Sequence, residues 1–296
     1  MKLSRTPDTA LNLLDRVSIW HIAAFGLAVR LAALALVPDP QFVDAESYEV
    51  IGRELFETGI MSSHIAMPLY AILTYLSGGG LGTDLLNIGL STLTIVVLHR
   101  LVQATVDSDA GGKIAGVIYA LWPHAVFYSV TGLSETSFVF LLCLALLFLY
   151  EGRFVAGSVL LVLGILNRPV TDLIAPLFIL YFALAIHRMS IGQALRRLVL
   201  YVTIYGALML PWWLHNYAKY DSFVRLNLGS GFVLYVGNNP GNLTGGGTGD
   251  DPQDNYAVVE EEFGRLFAIE DPMERYTAFR DRAIEYIRDD PARIAH

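Results

Sequence analysis

Apolar residues run in long blocks, separated by short polar joints, over the first 213 positions. About 20 apolar residues suit a helix that crosses a bilayer core, and fewer suffice where neighbouring helices shield its ends. The pattern predicts membrane spans at about 17–37, 84–104, 114–131, 133–150, 154–168, 171–187 and 197–213. The third and fourth blocks nearly merge, so a tight turn at TGLSE (131–135) has to separate them. Residues 67–78 (MPLYAILTYLSG) are apolar but short, which fits an interfacial or re-entrant helix. Beyond 213 the pattern changes. Residues 221–255 are rich in Gly and Asn, which favours turns over regular structure. Residues 256–288 read as a helix broken near Asp271-Pro272, with apolar positions at helical spacing on both sides. The predicted fold is all-α: a polytopic transmembrane helical bundle of about seven spans (1–213), with an extracytoplasmic loop (38–83) inside it. A mixed helix-and-loop tail follows (214–296).

Composition narrows this further. The chain is 54% hydrophobic and 16% charged, against roughly 25% charged in a soluble domain. A net charge of −8 excludes a strongly basic nucleic-acid binder. The single Cys143 lies in the apolar run FLLCLALLF, which excludes disulfide scaffolds, Cys-rich zinc sites and redox pairs. Residues 1–213 hold 12 Lys/Arg and 14 Asp/Glu, whereas the 83 residues 214–296 hold 8 and 14. The tail is therefore acidic and faces water. The first block resembles a signal peptide with a small-residue site at Ala33–Ala35, but its length and internal Arg30 predict an uncleaved anchor.

Orientation follows from the Lys/Arg bias of the loops. Lys2, Arg5, Arg16, Arg100, Lys113, Arg153, Arg188, Arg196 and Arg197 fall on one set of joints, predicted to be cytoplasmic. The loop after the first span holds only Arg53, against Asp39, Asp44, Glu46, Glu49, Glu54 and Glu57. Both sizeable water-facing pieces are thus predicted on the non-cytoplasmic side.

Ionisable residues in or beside spans are costly and mark candidate function. Asp44 and Glu46 follow the first span within FVDAESYEV, where a helix starting near Asp44 puts Tyr48 on its face and Glu46 on another. An N-terminal cap is the competing role for Asp44, and the two are compatible. His64 stands before Met67-Pro68, either solvated or ligand-binding, and Glu135 opens the fourth span as a cap or as part of a polar cavity. Arg168, fixed before Pro169, suits a phosphate, while Arg30 suits snorkelling to headgroups. Trp212 and Trp213 read as interface anchors, with His215 and Asn216 one step further into water. Asn242-Leu-Thr244 matches a glycosylation acceptor, a pattern frequent by chance.

The ordered stretches Asp44-Ala-Glu-Ser-Tyr48, Met67-Pro-Leu-Tyr70, Ala120-Leu-Trp-Pro-His-Ala-Val-Phe-Tyr128 with Ser134-Glu135, Asn167-Arg-Pro169, Pro211-Trp212 with Asn216-Tyr217, and Tyr235-Val-Gly-Asn-Asn-Pro240 span nearly the whole chain. In that order they resemble the membrane glycosyltransferases of the GT-C fold. The nearest group is the bacterial one related to dolichyl-phosphate-mannose protein mannosyltransferases and aminoarabinose lipid A transferases. The resemblance implies a multi-pass protein of the bacterial inner membrane that takes a sugar from a polyprenyl-phosphate donor at the non-cytoplasmic face. It implies Asp44 as the catalytic carboxylate, with Glu46, Tyr48, His64, Glu135, Arg168, His215 and Asn216 as candidate substrate contacts. The expected chemistry is an inverting transfer to a hydroxyl or amine of a glycan, lipid or protein, with Asp44 accepting the proton. A divalent metal between Asp44 and phosphate fits the family, though no ligand cluster in the sequence demands it.

His64 stands where relatives carry a His-Pro-Pro-Leu-like stretch, and here Met67-Pro68 follows only later. Relatives also continue beyond the position of His296 into further spans, which leaves a natural short form, a truncation and a fragment open. Two other classes stay in view: a transporter or flippase of a lipid-linked sugar, and an inactive relative serving as a binding partner. Transporters tend to show repeats and midplane charges. Here the acids gather on one outer side and no repeat is visible, which favours the enzyme.

Overall fold

The computed structural model describes residues 16–36, 43–244 and 255–291, and every regular element among them is helical. Residues 38–42 of the first loop, 245–254 of the Gly-rich segment, and Lys2 and Arg5 lie outside the described residues.

The chain divides into two compact units, residues 1–59 with 67–212, and residues 60–66 with 213–296. In the first unit α1 (Ile19–Leu36) packs on α4 (Gly80–Val106) and α5 (Asp109–Leu121). Helix α2 (Val43–Thr58) packs on the short α3 (Pro68–Ser77), which also touches α4 and α8 (Phe154–Asn167). Helix α7 (Glu135–Tyr150) is held between α4 and α8. After a 3₁₀ turn at Pro169–Thr171 come α9 (Ala175–Tyr181), a π turn (Phe182–Ile186) and the long α10 (Ile191–Tyr220).

Three helices, α1, α4 and α10, are long and apolar enough to cross a membrane, while α3, α7, α8 and the α9 segment are apolar but shorter. The outward faces of the long helices carry large uncovered side chains, among them Phe25, Leu31, Leu85, Leu93, Val199 and Leu210. Apolar surface on this scale is costly in water and needs none of its cost met in lipid. The protein is a helical membrane protein.

The block expected at 114–131 is broken rather than continuous. Helix α5 stops at Leu121, Trp122 turns extended (φ −62°, ψ 116°), and a short α6 (Pro123–Tyr128) restarts. Proline pushes the residue before it out of the helical region and offers no N–H. Here Pro123 has none for the Tyr119 carbonyl four residues earlier. The Trp122 N–H reaches that carbonyl instead (3.3 Å), and Arg30 adds further donors at this helix end. It is completely buried, and it donates to the carbonyls of Tyr119 (3.3 Å), Ala120 (3.2 Å) and Gly26 (3.0 Å) and to Ser91 Oγ (2.8 Å). The snorkelling expected of Arg30 is corrected: its charge caps the negative end of α5 inside the bundle.

In the second unit α11 (Gly229–Asn238) packs on α13 (Pro272–Asp289), with α12 (Glu260–Phe267) alongside. Helix α11 lies in the Gly/Asn-rich stretch expected to be irregular. Tyr235, Phe279 and Ala283 form its buried core with Phe232 and Phe263 around them, so packing overrides weak propensity. At Gly231 a Cβ would lie 2.2 Å from the Tyr276 carbonyl, so only glycine lets the two helices approach. The expected break before Pro272 is present, with the Asp271 side chain capping α13 by accepting from the Glu274 N–H (2.8 Å). Asn242 is buried and donates to the Val236 carbonyl, so its amide serves the fold.

Candidate active site

The turn between α6 and α7 is the centre of the polar groups in the first unit. Gly132 takes a left-handed conformation (φ +63°), and a Cβ there would sit 3.1 Å from that of Ala45. The first turn of α2, which carries Asp44, therefore rests directly on this turn. One helical turn further on, Tyr48 Oη meets Ser134 Oγ at 3.3 Å, and its ring stands edge-on to Tyr70 at 4.8 Å. Buried Asn87 of α4 donates to Tyr70 Oη (2.8 Å) and to the Leu133 carbonyl (3.2 Å). Buried Asn167, the last residue of α8, donates to the Ser134 carbonyl (3.0 Å) and accepts from Ser137 Oγ (3.0 Å). Three helices, α2, α4 and α8, thus bond to one turn, and the bonds satisfy the buried amide N–H groups of Asn87 and Asn167.

Arg168 leaves α8 in extended conformation (φ −147°, ψ 125°) because Pro169 follows. Its Nη1 donates to Ser134 Oγ at 2.9 Å and pairs with Glu135 Oε1 at 2.7 Å. The two side chains are 34% and 30% exposed, so the pair sits at the edge of the bundle and is not sealed in it. Glu135 Oε2 is buried without a hydrogen-bond partner. Burial pushes the Tyr48 phenol above its ordinary range. The bond to Ser134 and the charge of Arg168 oppose that rise, while Asp44 and Glu135 add to it. Asp44, Tyr48, Glu135 and Arg168 therefore share one electrostatic neighbourhood. Asp44 itself is exposed, in the first turn of α2.

Beside this cluster lies a cavity of about 260 Å³, lined by Tyr119, Trp122, His124, Tyr128, Glu135 and Val139 among others. It follows the break at Trp122-Pro123.

The remaining sequence candidates fall elsewhere. Glu46 is exposed on another face of the first turn of α2. His64, His215 and Asn216 belong to the second unit. There His215 Nε2 accepts from the Met61 N–H (3.0 Å) and its Nδ1 faces Asn216 Oδ1 (3.3 Å), which fixes a neutral ring protonated on Nδ1. Buried Asn216 donates to the carbonyls of Val224 (2.9 Å) and Leu226 (3.1 Å). His64 Nδ1 meets Tyr220 Oη at 2.9 Å, and burial, with the charges of Lys219 and Arg275, pulls its pKa down to about 4. A ring held neutral is a poor phosphate ligand. Lys219 donates to the carbonyls of Met61, Ser62 and Ser63, which pins residues 60–66. Trp212 is buried, and Trp213 donates to the Arg225 carbonyl (2.9 Å), so both have protein partners besides any interfacial role.

The sequence reading passes over Asn87 and Ser137. A buried amide inside the apolar run 84–104 was the available signal, since such residues need a stated partner. Among the described residues, no three His, Cys, Asp or Glu side chains converge to hold a metal ion. Compared with protein-family models, curated proteins and solved structures, the chain matches none.

Proposed function

We propose that the chain is a membrane glycosyltransferase of the GT-C kind, taking its sugar from a polyprenyl-phosphate donor at the non-cytoplasmic face of a bacterial inner membrane. In this reading α5–α6, α7, α8 and the α9 segment cross the bilayer along with the three long helices, giving seven passes. The observation that carries it is that the charges of Asp44 and Arg168 both act on Tyr48, beside the clamped turn at 131–135. An exposed carboxylate and a guanidinium are the two groups this reaction asks for.

The acceptor hydroxyl or amine attacks the anomeric carbon from the face opposite the phosphate. As the new bond forms, its proton passes to the Asp44 carboxylate. The bond from the anomeric carbon to the phosphate oxygen breaks, and the lipid phosphate leaves as an anion. Such a leaving group is stable without protonation, so one base suffices. The bonds of Arg168 to Ser134 and Glu135 both run through Nη1, so neither uses its Nε or Nη2 donors. A guanidinium so held stabilises charge as it develops on the departing phosphate. Glu135 and Ser134 position it, and Tyr48 feels the charges of both base and cation.

The test is transfer by purified protein in detergent, offered a panel of labelled polyprenyl-phosphate sugars with candidate glycan, lipid and protein acceptors. Asp44→Asn should lower the rate by about 10²–10⁴-fold, the usual worth of a general base. A folded Asp44→Asn protein with undiminished transfer removes Asp44 from the mechanism. Donor transport without transfer by the wild type reconstituted in sealed vesicles points to a flippase instead.

A further inference from the structure

Residues 60–66 join α2 to α3 in sequence, yet they fold with residues 213–296. The backbone of this strap is bound almost residue by residue. His215 Nε2 accepts from the Met61 N–H (3.0 Å). The single ammonium of Lys219 donates to the carbonyls of Met61 (2.6 Å), Ser62 (3.0 Å) and Ser63 (2.6 Å). The Leu228 N–H reaches the His64 carbonyl (2.9 Å), and Asn227 Nδ2 reaches the Ile65 carbonyl (2.6 Å). Each carbonyl from Met61 to Ile65 thus takes a donor from within residues 219–228. A Cβ on Gly229 would lie 2.9 Å from Ile65 Cγ2, so that glycine makes room for the strap, and Met61 is fully buried. A surface loop needs no such grip, because water satisfies its backbone. Hydrogen bonds from an ionised donor are roughly twice as strong as neutral ones, which makes Lys219 the principal pin. At the α2 end the strap begins after Gly59, left-handed (φ +76°) with open space around it, where the chain is free to pivot. At the α3 end Met67 and Pro68 are buried.

We propose that the strap is a latch, closed by Lys219, through which the second unit restrains α2 and α3. These are the helices that carry Asp44, Tyr48 and Tyr70. With the latch closed, the facing ends of both helices are tied to a bound segment. With it open, α2 turns about Gly59, and the contact of Tyr48 with Ser134 (3.3 Å) is no longer held from this end. The inference stands apart from glycosyl transfer and needs no step of it.

Hydrogen–deuterium exchange on the full-length protein in detergent tests this without any substrate. Lys219→Met keeps a long side chain and removes its donors. Amides of 60–66 and of α2 should then exchange about tenfold faster or more, because local opening sets their rates and bonds to a charged group are lost. Amides of α13 should stay protected, which shows that the second unit is still folded. Lys219→Arg keeps a charged donor and should restore most of the protection in both segments. Asn227→Asp decides the matter should Lys219→Met lose the protection of α13. It removes the donor to Ile65 and keeps the side-chain oxygen that accepts from the Gly229 N–H (3.2 Å). The same two segments should speed up in it by a smaller factor. Faster exchange confined to 60–66, with α2 unchanged in a folded variant, overturns the latch and leaves the strap a bound loop. Unchanged exchange of 60–66 in the folded variants overturns it as well.

Discussion

His64 shows how one side chain's surroundings set its chemistry. Its ring lies 5.7 Å from that of Tyr220 and 6.1 Å from that of Tyr276, and the cations Lys219 and Arg275 act on it. Burial is the largest influence, and all three disfavour the imidazolium, bringing the pKa from 6.5 to about 4. Between pH 6.5 and 4 the unfolded chain therefore binds a proton that the folded chain refuses. Stability must rise with pH across that window and fall on acidification. This contribution is complete above about pH 6.5 and lost as pH drops toward 4. Thermal unfolding in detergent, followed by proteolysis within 213–291 at several pH values, should show a slope that His64→Gln flattens. An unchanged slope in the variant would mean that other groups set the acid response.

At the scale of elements, the break in α5 depends on a residue from another helix. Replacing Arg30 by Leu keeps some of the bulk but removes the guanidinium, and so strips donors from Ser91 Oγ and from the Tyr119 and Ala120 carbonyls. Bonds to a charged group are worth about 1.5–3 kcal/mol each, so a loss of roughly 3 kcal/mol or more is expected in thermal or denaturant unfolding. Arg30→Lys should fall between, because a single ammonium lacks the fork that spans the acceptors. A Leu variant as stable as the wild type would show that the break holds without its cap. This cap explains why parts of the fold were legible from the sequence and others were not. Apolar runs located the helices, the turn at 131–135 and the break at Pro272, because length and local chemistry decide those. Arg30 read as an interfacial residue since a one-dimensional pattern does not show that the carbonyls at the end of α5 face it. Helix α11 was missed for the same reason: Gly231 counts against a helix until Tyr276 and Arg280 are seen packed upon it. Within the site, Asp44, Tyr48, Glu135 and Arg168 were legible as ionisable or phenolic groups at block ends. The membership of His64, His215 and Asn216 in the second unit was not, because sequence order does not show that residues 60–66 fold with the chain after 213.

For the whole molecule, the open quantity is how many helices cross the bilayer. At 1.5 Å per residue, α7 with 16 residues and α8 with 14 reach about 24 and 21 Å, short of a hydrocarbon core of roughly 30 Å. The shortfall is of the size that local thinning and polar ends shielded by neighbours can absorb, at fractions of a kcal/mol per Å. Both helices are packed on neighbours, and α8 ends in Asn167 and Arg168, which are bonded within the bundle. Seven passes and three passes make the same prediction for many positions. Glu57 and Gly192 lie on opposite sides in either scheme. The joint between α8 and the α9 segment separates the two schemes. Seven passes put exposed Val170 on the side of Glu57, whereas three passes leave it with Gly192. In a Cys143→Ser background, Val170→Cys should react with a membrane-impermeant maleimide on intact cells as Glu57→Cys does, while Gly192→Cys should need permeabilised cells. Gly192 has open space around it, so that substitution is tolerated. Labelling of Val170→Cys only after permeabilisation would place Arg168 on the side opposite Asp44 in the membrane. That outcome contradicts their shared neighbourhood around Tyr48, so it would overturn the proposed site together with the seven-pass topology.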